Sequence, residues 1–195
     1  MKIKKNLGIG VMSAAIGLSM VVGGTYSYFS DAETTTNTFA AGTIDLAVEP
    51  TEIVNLDNLK PGDWITRTFE LQNNGTLDIQ KVLLETYYSV IDAKGDNTED
   101  FGKHILVEFL YNVDQVNEVV YETTLFNLQS MTPEAVNEKV FLPILGEKGL
   151  GAGTSDDLIV KFVFVDNGKD QNQYQGDSLN LNWTFNAQQT PGEER

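Results

Sequence analysis

The strongest constraint on the fold is the run SLNLNWTFN at residues 178–186, which alternates between apolar and polar side chains. Leu179, Leu181, Trp183 and Phe185 take one face, and Ser178, Asn180, Asn182, Thr184 and Asn186 take the other. A side-chain period of two puts these sets on opposite sides of an extended chain, so the run predicts a β-strand with one buried and one wet face.

The same reading extends through the body of the chain. TIDLAVE groups Ile44, Leu46 and Val48, and KVLLETYYSV groups Val82, Leu84, Tyr88 and Val90 with Thr86 between them. ILVEFLY groups Ile105, Val107, Phe109 and Tyr111. DLIVKFVFVD is apolar on nearly both faces, which predicts a central strand. DWITRTFELQ also reads as a strand, although Arg67 falls on its Ile65/Phe69/Leu71 face and is expected near a strand end or paired. Turn chemistry separates these runs at Pro61-Gly62-Asp63, Asn73-Asn74-Gly75, Lys94-Gly95-Asp96, Asp166-Asn167-Gly168 and Gln175-Gly176-Asp177. One helix start is well signalled: in MTPEAVNEK, Thr132 caps and Pro133 takes the first helical position. TTLFNLQS supplies a second short helical turn. Many strands and few helices predict an all-β fold, a jelly-roll-like antiparallel β-sandwich with a few short helices.

The N-terminus has a different character. Lys2, Lys4 and Lys5 precede the uncharged run Leu7–Val22, which at roughly 16 residues is short for a bilayer span of ~20. This predicts a signal peptide over residues 1–27, cut after the small residues of Thr25-Tyr26-Ser27 so that the mature chain begins at Tyr28. Residues 28–42 form a Thr-rich connection, 43–187 the single β domain, and 188–195 a frayed tail. Removing the leader takes away Lys2, Lys4 and Lys5 and no acid, moving the formal net charge from −15 to −18. Such a surface argues against nucleic acid and against an anionic membrane face, so the membrane is met only during export. There is no cysteine, which excludes disulfides, thiolate chemistry and Cys-based zinc sites.

Catalytic motifs are missing from the sequence. A zinc peptidase usually holds its metal with two or three His and a carboxylate, whereas this chain has one His, His104, at the start of a strand. No Gly-x-Ser-x-Gly elbow is present, and GEKGLGAGTSDD lacks the Gly-Lys-Ser/Thr of a phosphate loop, reading instead as a flexible connection. The acid-rich loops DAKGDNTED and DNGKDQNQYQGD read as solvated turns and do not follow the Asp-x-Asp-x-Asp-Gly calcium pattern. The reading therefore assigns no catalytic residue and no cofactor, and leaves a divalent cation, calcium or zinc, open.

Several blocks in order, LGIGVMSAAIGLSMVVGGTYSYFSD, TFAAGTIDL, LKPGDWITRTFELQNNGTLDIQKVLLET and DQNQYQGDSLNLNWTFNAQQ, resemble the TasA/camelysin family of Gram-positive bacilli along nearly the whole chain. The resemblance implies a secreted, jelly-roll subunit of biofilm-matrix fibres at the cell surface, with a leader cut between Ser27 and Tyr28 by a dedicated signal peptidase. It also implies assembly by donor-strand exchange, in which the mature N-terminal segment completes the sheet of a neighbouring copy. The donor would run from Tyr28 to about Phe39, with Tyr28, Phe29 and Phe39 as anchors and Thr34, Thr35 and Thr36 as β-prone backbone. The partner is then another copy, head to tail, together with an accessory anchoring or assembly protein of the matrix. The alternative implied by the camelysin resemblance is a secreted metal-dependent endopeptidase or surface adhesin. Tyr87, Tyr88 and Tyr111 raise a third reading, a carbohydrate- or host-protein-binding surface, although core and cross-strand pairing is the commoner use of such residues.

Overall fold

The computed structural model describes residues 30–31, 42–50, 54–56, 59–113 and 116–189. The expected leader, its cleavage point at Ser27 and Tyr28, the expected donor residues Tyr28, Phe29, Thr34, Thr35, Thr36 and Phe39, and the tail from residue 190 lie outside the described residues.

Among the described residues the strands form two antiparallel sheets. One contains β1 (Ser30–Asp31), β3 (Val54–Leu56), β5 (Lys81–Ile91) and β9 (Ser178–Gln188). The other runs in the spatial order β2 (Leu46–Glu49), β4 (Trp64–Asn73), β8 (Ser155–Phe164), β6 (Ile105–Val113), β7 (Val116–Thr124). The alternation of β9 works as expected: Leu179, Leu181, Trp183, Phe185 and Ala187 face the core. Trp183 reaches across to the second sheet, where its ring lies 5.4 Å from Phe69 on β4, 5.7 Å from Phe162 on β8 and 6.0 Å from Phe109 on β6. One side chain thus packs against three facing strands and holds the sheets face to face, with each aromatic pair adding about 1 kcal/mol beyond its buried area.

The two-sided apolar run is central, as its pattern requires. β8 lies between β4 and β6 and sends Leu158, Val160, Phe162 and Phe164 into the core. On its outer face Lys161 donates to Glu108 at 2.9 Å.

The helical segment follows β7. Thr124 accepts from the Asn127 N–H and caps α1 (Leu125–Ser130). Thr132 accepts from the Ala135 N–H and caps α2 (Pro133–Val136), which continues through a π-turn at Asn137–Phe141 into α3 (Leu142–Leu145). Leu125, Leu128, Val136, Val140, Phe141 and Ile144 turn inward to the shared core. Two polar residues of this segment bond backbone groups on the outer edge of β5: Gln129 accepts the Tyr88 N–H at 3.1 Å, and Asn137 donates to the Val82 carbonyl at 3.1 Å. An edge whose backbone groups are already bonded is a poor template for another strand.

Four sequence expectations need correction. Arg67 sits mid-strand and exposed rather than at a strand end or in an ion pair, with Nη1 donating to the Thr66 carbonyl, on a stretch where the inward face of β4 changes from half-buried Ile65 to buried Phe69. The Gly-rich connection is built in, because Ile79 and Leu150 exchange backbone hydrogen bonds of 2.9 and 2.8 Å. At Gly149, φ is +67° and a Cβ would collide with the Ile79 carbonyl, so glycine is required there. Gln188 belongs to β9 rather than to a tail. Finally, β7 had no counterpart in the sequence reading, since Asn117, Glu118 and Glu122 break its apolar pattern at an edge position.

Asn73 ties the end of β4 to this region. It is 1% exposed; its Nδ2 donates to the Leu77 and Leu150 carbonyls, and its Oδ1 accepts the Gly75 N–H. Asn73→Ala strands these groups and is predicted to cost about 3 kcal/mol in a urea titration, with the slope unchanged. A loss below about 0.5 kcal/mol would contradict this role.

Candidate functional site

β9 is paired very differently on its two flanks. Along one, β5 matches it from Lys81↔Gln188 to Ile91↔Ser178. Along the other, β3 takes Leu179–Leu181, and Ser30–Asp31 takes Ala187 and Gln188. No described strand pairs with residues 182–186 on that flank.

The hydrogen-bond direction of each β9 residue follows from β5. Because the Tyr88 N–H and Val82 carbonyl point away from β9, the odd-numbered residues of β5 bond to the even-numbered residues of β9. The odd-numbered residues of β9 therefore direct their N–H and C=O to the other flank. Leu179, Leu181 and Ala187 meet β3 or β1 there, whereas Trp183 and Phe185 meet no described strand. Their side chains report the same gap. Leu179, Leu181 and Ala187 are buried, while Trp183 and Phe185 on the same face are only half-buried.

The facing sheet is open at the same place. β4 has no described partner beside residues 64–69 on the β2 flank, and Phe69 at the end of that stretch packs on both Trp183 (5.4 Å) and Phe185 (6.4 Å). Two partly partnered strands thus look at each other across an incompletely covered side of the core. Trp183 Nε1, and Thr86 Oγ1 directly opposite on β5, are buried there without a hydrogen-bond partner. The arrangement offers four backbone groups and a partly wet aromatic surface to an extended chain, which is the chemistry of strand addition.

Of the expected donor segment, only Ser30 and Asp31 are described, and they pair with the end of this same flank of their own β9.

The residues near His104 have other tasks. Its ring packs on Tyr174 at 4.7 Å, and its Nε2 lies 3.9 Å from Glu99. Asp100 accepts the Tyr88 hydroxyl and the Gly102 N–H, each at 2.7 Å; burial first, and then this carboxylate, push the Tyr88 phenol well above its ordinary range. Buried Asp177 accepts the Ala93 N–H and Asn97 Nδ2, so it clamps the loop after β5 to the loop before β9. Asp92 accepts backbone N–H groups from Lys94, Gly95, Asp96 and Asn97, and the Asn97 bond is the main cause of its lowered pKa. These acids hold loops, a firmer role than solvated turns. Among the described residues no group of three or more His, Asp or Glu is placed to hold a metal, and the residues around the single His do not fit a zinc-peptidase centre.

Fold and site together define a two-sheet antiparallel β protein in which, among the described residues, part of one flank of β9 has no partner strand. The chain belongs to the camelysin metallo-endopeptidase family, whose model matches residues 2–194. It is 35% identical over 235 residues to a Bacillus subtilis (strain 168) protein described as "Major biofilm matrix component", a match covering 98% of this chain and 90% of that protein.

Amide exchange tests the open flank. In the monomer, the Trp183 and Phe185 N–H groups are predicted to exchange much faster than those of Asn182, Thr184 and Asn186, which face β5. Uniform protection along residues 182–186 would contradict an open flank. The Asp92 loop has its own signature. With a lowered folded pKa, its carboxylate stabilises the fold above about pH 4 and loses that effect as pH falls through the lowered value. Asp92→Asn is therefore expected to speed amide exchange at residues 94–97 at neutral pH and to change little in strong acid; an equal effect at both pH values would contradict the assignment.

Proposed function

We propose that this chain is a secreted structural subunit of the extracellular biofilm matrix that polymerises at the cell surface by N-terminal donor-strand exchange. The observation that carries the reading is the flank of β9 at residues 182–186, with which no described strand pairs. The identity to a protein described as a major biofilm matrix component supports the matrix role. In this reading, cleavage between Ser27 and Tyr28 by a dedicated signal peptidase frees the segment from Tyr28 to about Phe39. Its backbone bonds the N–H and C=O groups of Trp183 and Phe185 in the next copy. Tyr28, Phe29 and Phe39 anchor it, and Thr34, Thr35 and Thr36 supply extended backbone between the anchors. The pairing of Ser30–Asp31 with β9 supports the fit of this segment to that flank. Each copy gives a strand at one end and receives one at another, so the contact does not close and a filament results. An accessory matrix protein would anchor or start the filament. We read the two-sheet body as a jelly roll, in which Trp183 of one sheet meets three strands of the other.

Deleting residues 28–39 is predicted to leave a folded monomer that forms no fibres by negative-stain microscopy. Fibres that persist after the deletion would sink the proposal. In assembled wild-type protein, the fast-exchanging amides of Trp183 and Phe185 should become protected.

The family's description favours a second reading, a metal-dependent endopeptidase. Chelator-sensitive cleavage of casein that survives purification to homogeneity and is lost in His104→Ala would replace the structural reading. Protein without such activity would leave the fibre role standing.

Charge bears on assembly. Each mature copy carries a formal net charge of −18 once Lys2, Lys4 and Lys5 are removed from a chain of −15. Like charges oppose association, and salt screens them over a Debye length of about 10 Å at 0.1 M. Assembly is predicted to speed up with added salt and with mild acid. Faster assembly at low ionic strength would contradict this.

A further inference from the structure

The sequence contains two Asn-Gly steps, Asn74-Gly75 and Asn167-Gly168. Such a step carries its own chemistry. The backbone nitrogen of the residue after an asparagine can attack the side-chain amide carbon, and glycine, having no Cβ, leaves that approach open. Both steps lie in turns, and the fold treats them differently.

Asn74-Gly75 is shut in. Gly75 is buried, and the backbone of Thr43, Ile44 and Asp45 lies so close that a Cβ would collide with the Thr43 carbonyl. The Gly75 N–H donates to Asn73 Oδ1, an uncharged amide oxygen, and the same Asn73 side chain is held by the Leu77 and Leu150 carbonyls. The Gly75 nitrogen therefore has little room to swing onto the Asn74 side chain, and the oxygen that accepts its N–H is not a base.

Asn167-Gly168 is open and equipped. Residues 165–170, between β8 and β9, are exposed, and apart from its chain neighbours nothing lies within 4 Å of a Cβ built on Gly168. The Gly168 N–H donates to Asp166 Oδ1 at 2.9 Å, so a carboxylate already holds the proton that attack must release. The Lys169 N–H donates to Asn167 Oδ1 at 2.9 Å, at the oxygen where negative charge develops when the amide carbon is attacked. Buried Gln171 fixes the loop from behind: Oε1 accepts the Asn167 N–H, and Nε2 donates to the Val165 carbonyl, each at 3.2 Å. Proton acceptor, amide carbon, nucleophile and oxyanion donor thus come from four consecutive residues held in one geometry.

We propose that Asn167 is a site of spontaneous deamidation promoted by this folded turn. The Gly168 nitrogen bonds to Asn167 Cγ while its proton passes to the Asp166 carboxylate. The Cγ–Nδ2 bond then breaks, and the amide nitrogen leaves as ammonia with that proton, closing a succinimide. Water opens the ring at either carbonyl, giving its hydroxyl to the carbon and its proton to the nitrogen, and leaves an aspartyl or isoaspartyl residue. Nothing is oxidised or reduced, and water is the only co-reactant. Each event adds a negative charge beside Asp166 and Asp170, and the isoaspartyl product lengthens the main chain at the residue that Gln171 holds. Copies of the chain therefore carry a mark of their age in this loop. The proposal is independent of the fibre reading.

The test is peptide mass spectrometry of the full chain incubated at neutral pH in heavy-oxygen water, beside a sample unfolded in urea. Heavy oxygen enters an asparagine position only where solvent has opened a succinimide. In the folded chain, Asn167 is expected to take up label at least about tenfold faster than Asn74, and in urea the two rates converge. Asp166→Asn keeps an acceptor for the Gly168 N–H but loses the carboxylate, and is expected to slow Asn167 by at least about tenfold with Asn74 unchanged. Faster labelling of Asn74 in that variant would report a loosened fold; Asp166→Ser, which also offers an uncharged oxygen, is then read in its place with the same expectation. Equal folded rates at the two steps overturn the proposal. So does slower labelling of Asn167 in the folded than in the unfolded chain, or a wild-type rate at Asn167 in the Asp166 variant that is read.

Discussion

An extended strand in the middle of a sheet has to satisfy backbone groups on two flanks, and among the described residues β9 is paired along the whole of only one. β5 covers that flank over its whole length, while β1 and β3 reach only the two ends of the other. The consequences spread through the core. Trp183, which packs on Phe69, Phe109 and Phe162 and so joins the sheets, lies beside the gap and remains half-buried. On the outer edge of β5, Gln129 accepts the Tyr88 N–H and Asn137 donates to the Val82 carbonyl. Two backbone groups of one edge are bonded by side chains, whereas on the other flank no described strand pairs with residues 182–186 of β9.

Electrostatics works in the same sense as this asymmetry. Asp92 and Asp177 are bound into loops, but the acids at the end of the β4–β8 pair crowd one another: Asp157 lies opposite Glu70, and Asp156 is next to it. Burial raises the Asp156 carboxyl, against the lowering hydrogen bond from the Asp157 N–H, and the Asp157 charge raises it further. A raised folded pKa means that the folded state holds this proton more tightly. The associated stability is full below the unfolded pKa and is lost as pH rises through the folded one. Mild acid therefore favours the folded state at Asp156.

Much of the body was legible in the sequence because it rests on local pattern. The period-two runs at 178–186 and 82–90, the two-sided run at 158–165 and the Thr cap at 132 all state their structure locally. Arg67 was misread because the local pattern gives the face it shares with Phe69 but not how far along β4 that face is covered. The Gly-rich connection was misread because Gly149 answers to the Ile79 carbonyl, far away in sequence. The open flank was invisible for a related reason. Trp183 and Phe185 look like ordinary core residues, and only the pairing of neighbours from three other segments shows which backbone groups are left over. Tyr87 and Tyr88 illustrate the same limit: adjacent in sequence, one is bare on the outer face and the other is buried against Asp100.

The absence of cysteine makes the central claim directly testable, since any introduced pair is unique. Cysteines placed in turn at Thr34, Thr35 or Thr36 would each be combined with Thr184→Cys, beside the open flank, and the assembled protein oxidised mildly and run on a non-reducing gel. Donor-strand exchange predicts a ladder of covalent multimers for at least one pair, because the two cysteines of a contact come from different copies. Monomers alone, whether unlinked or closed internally, from all three pairs would contradict the account.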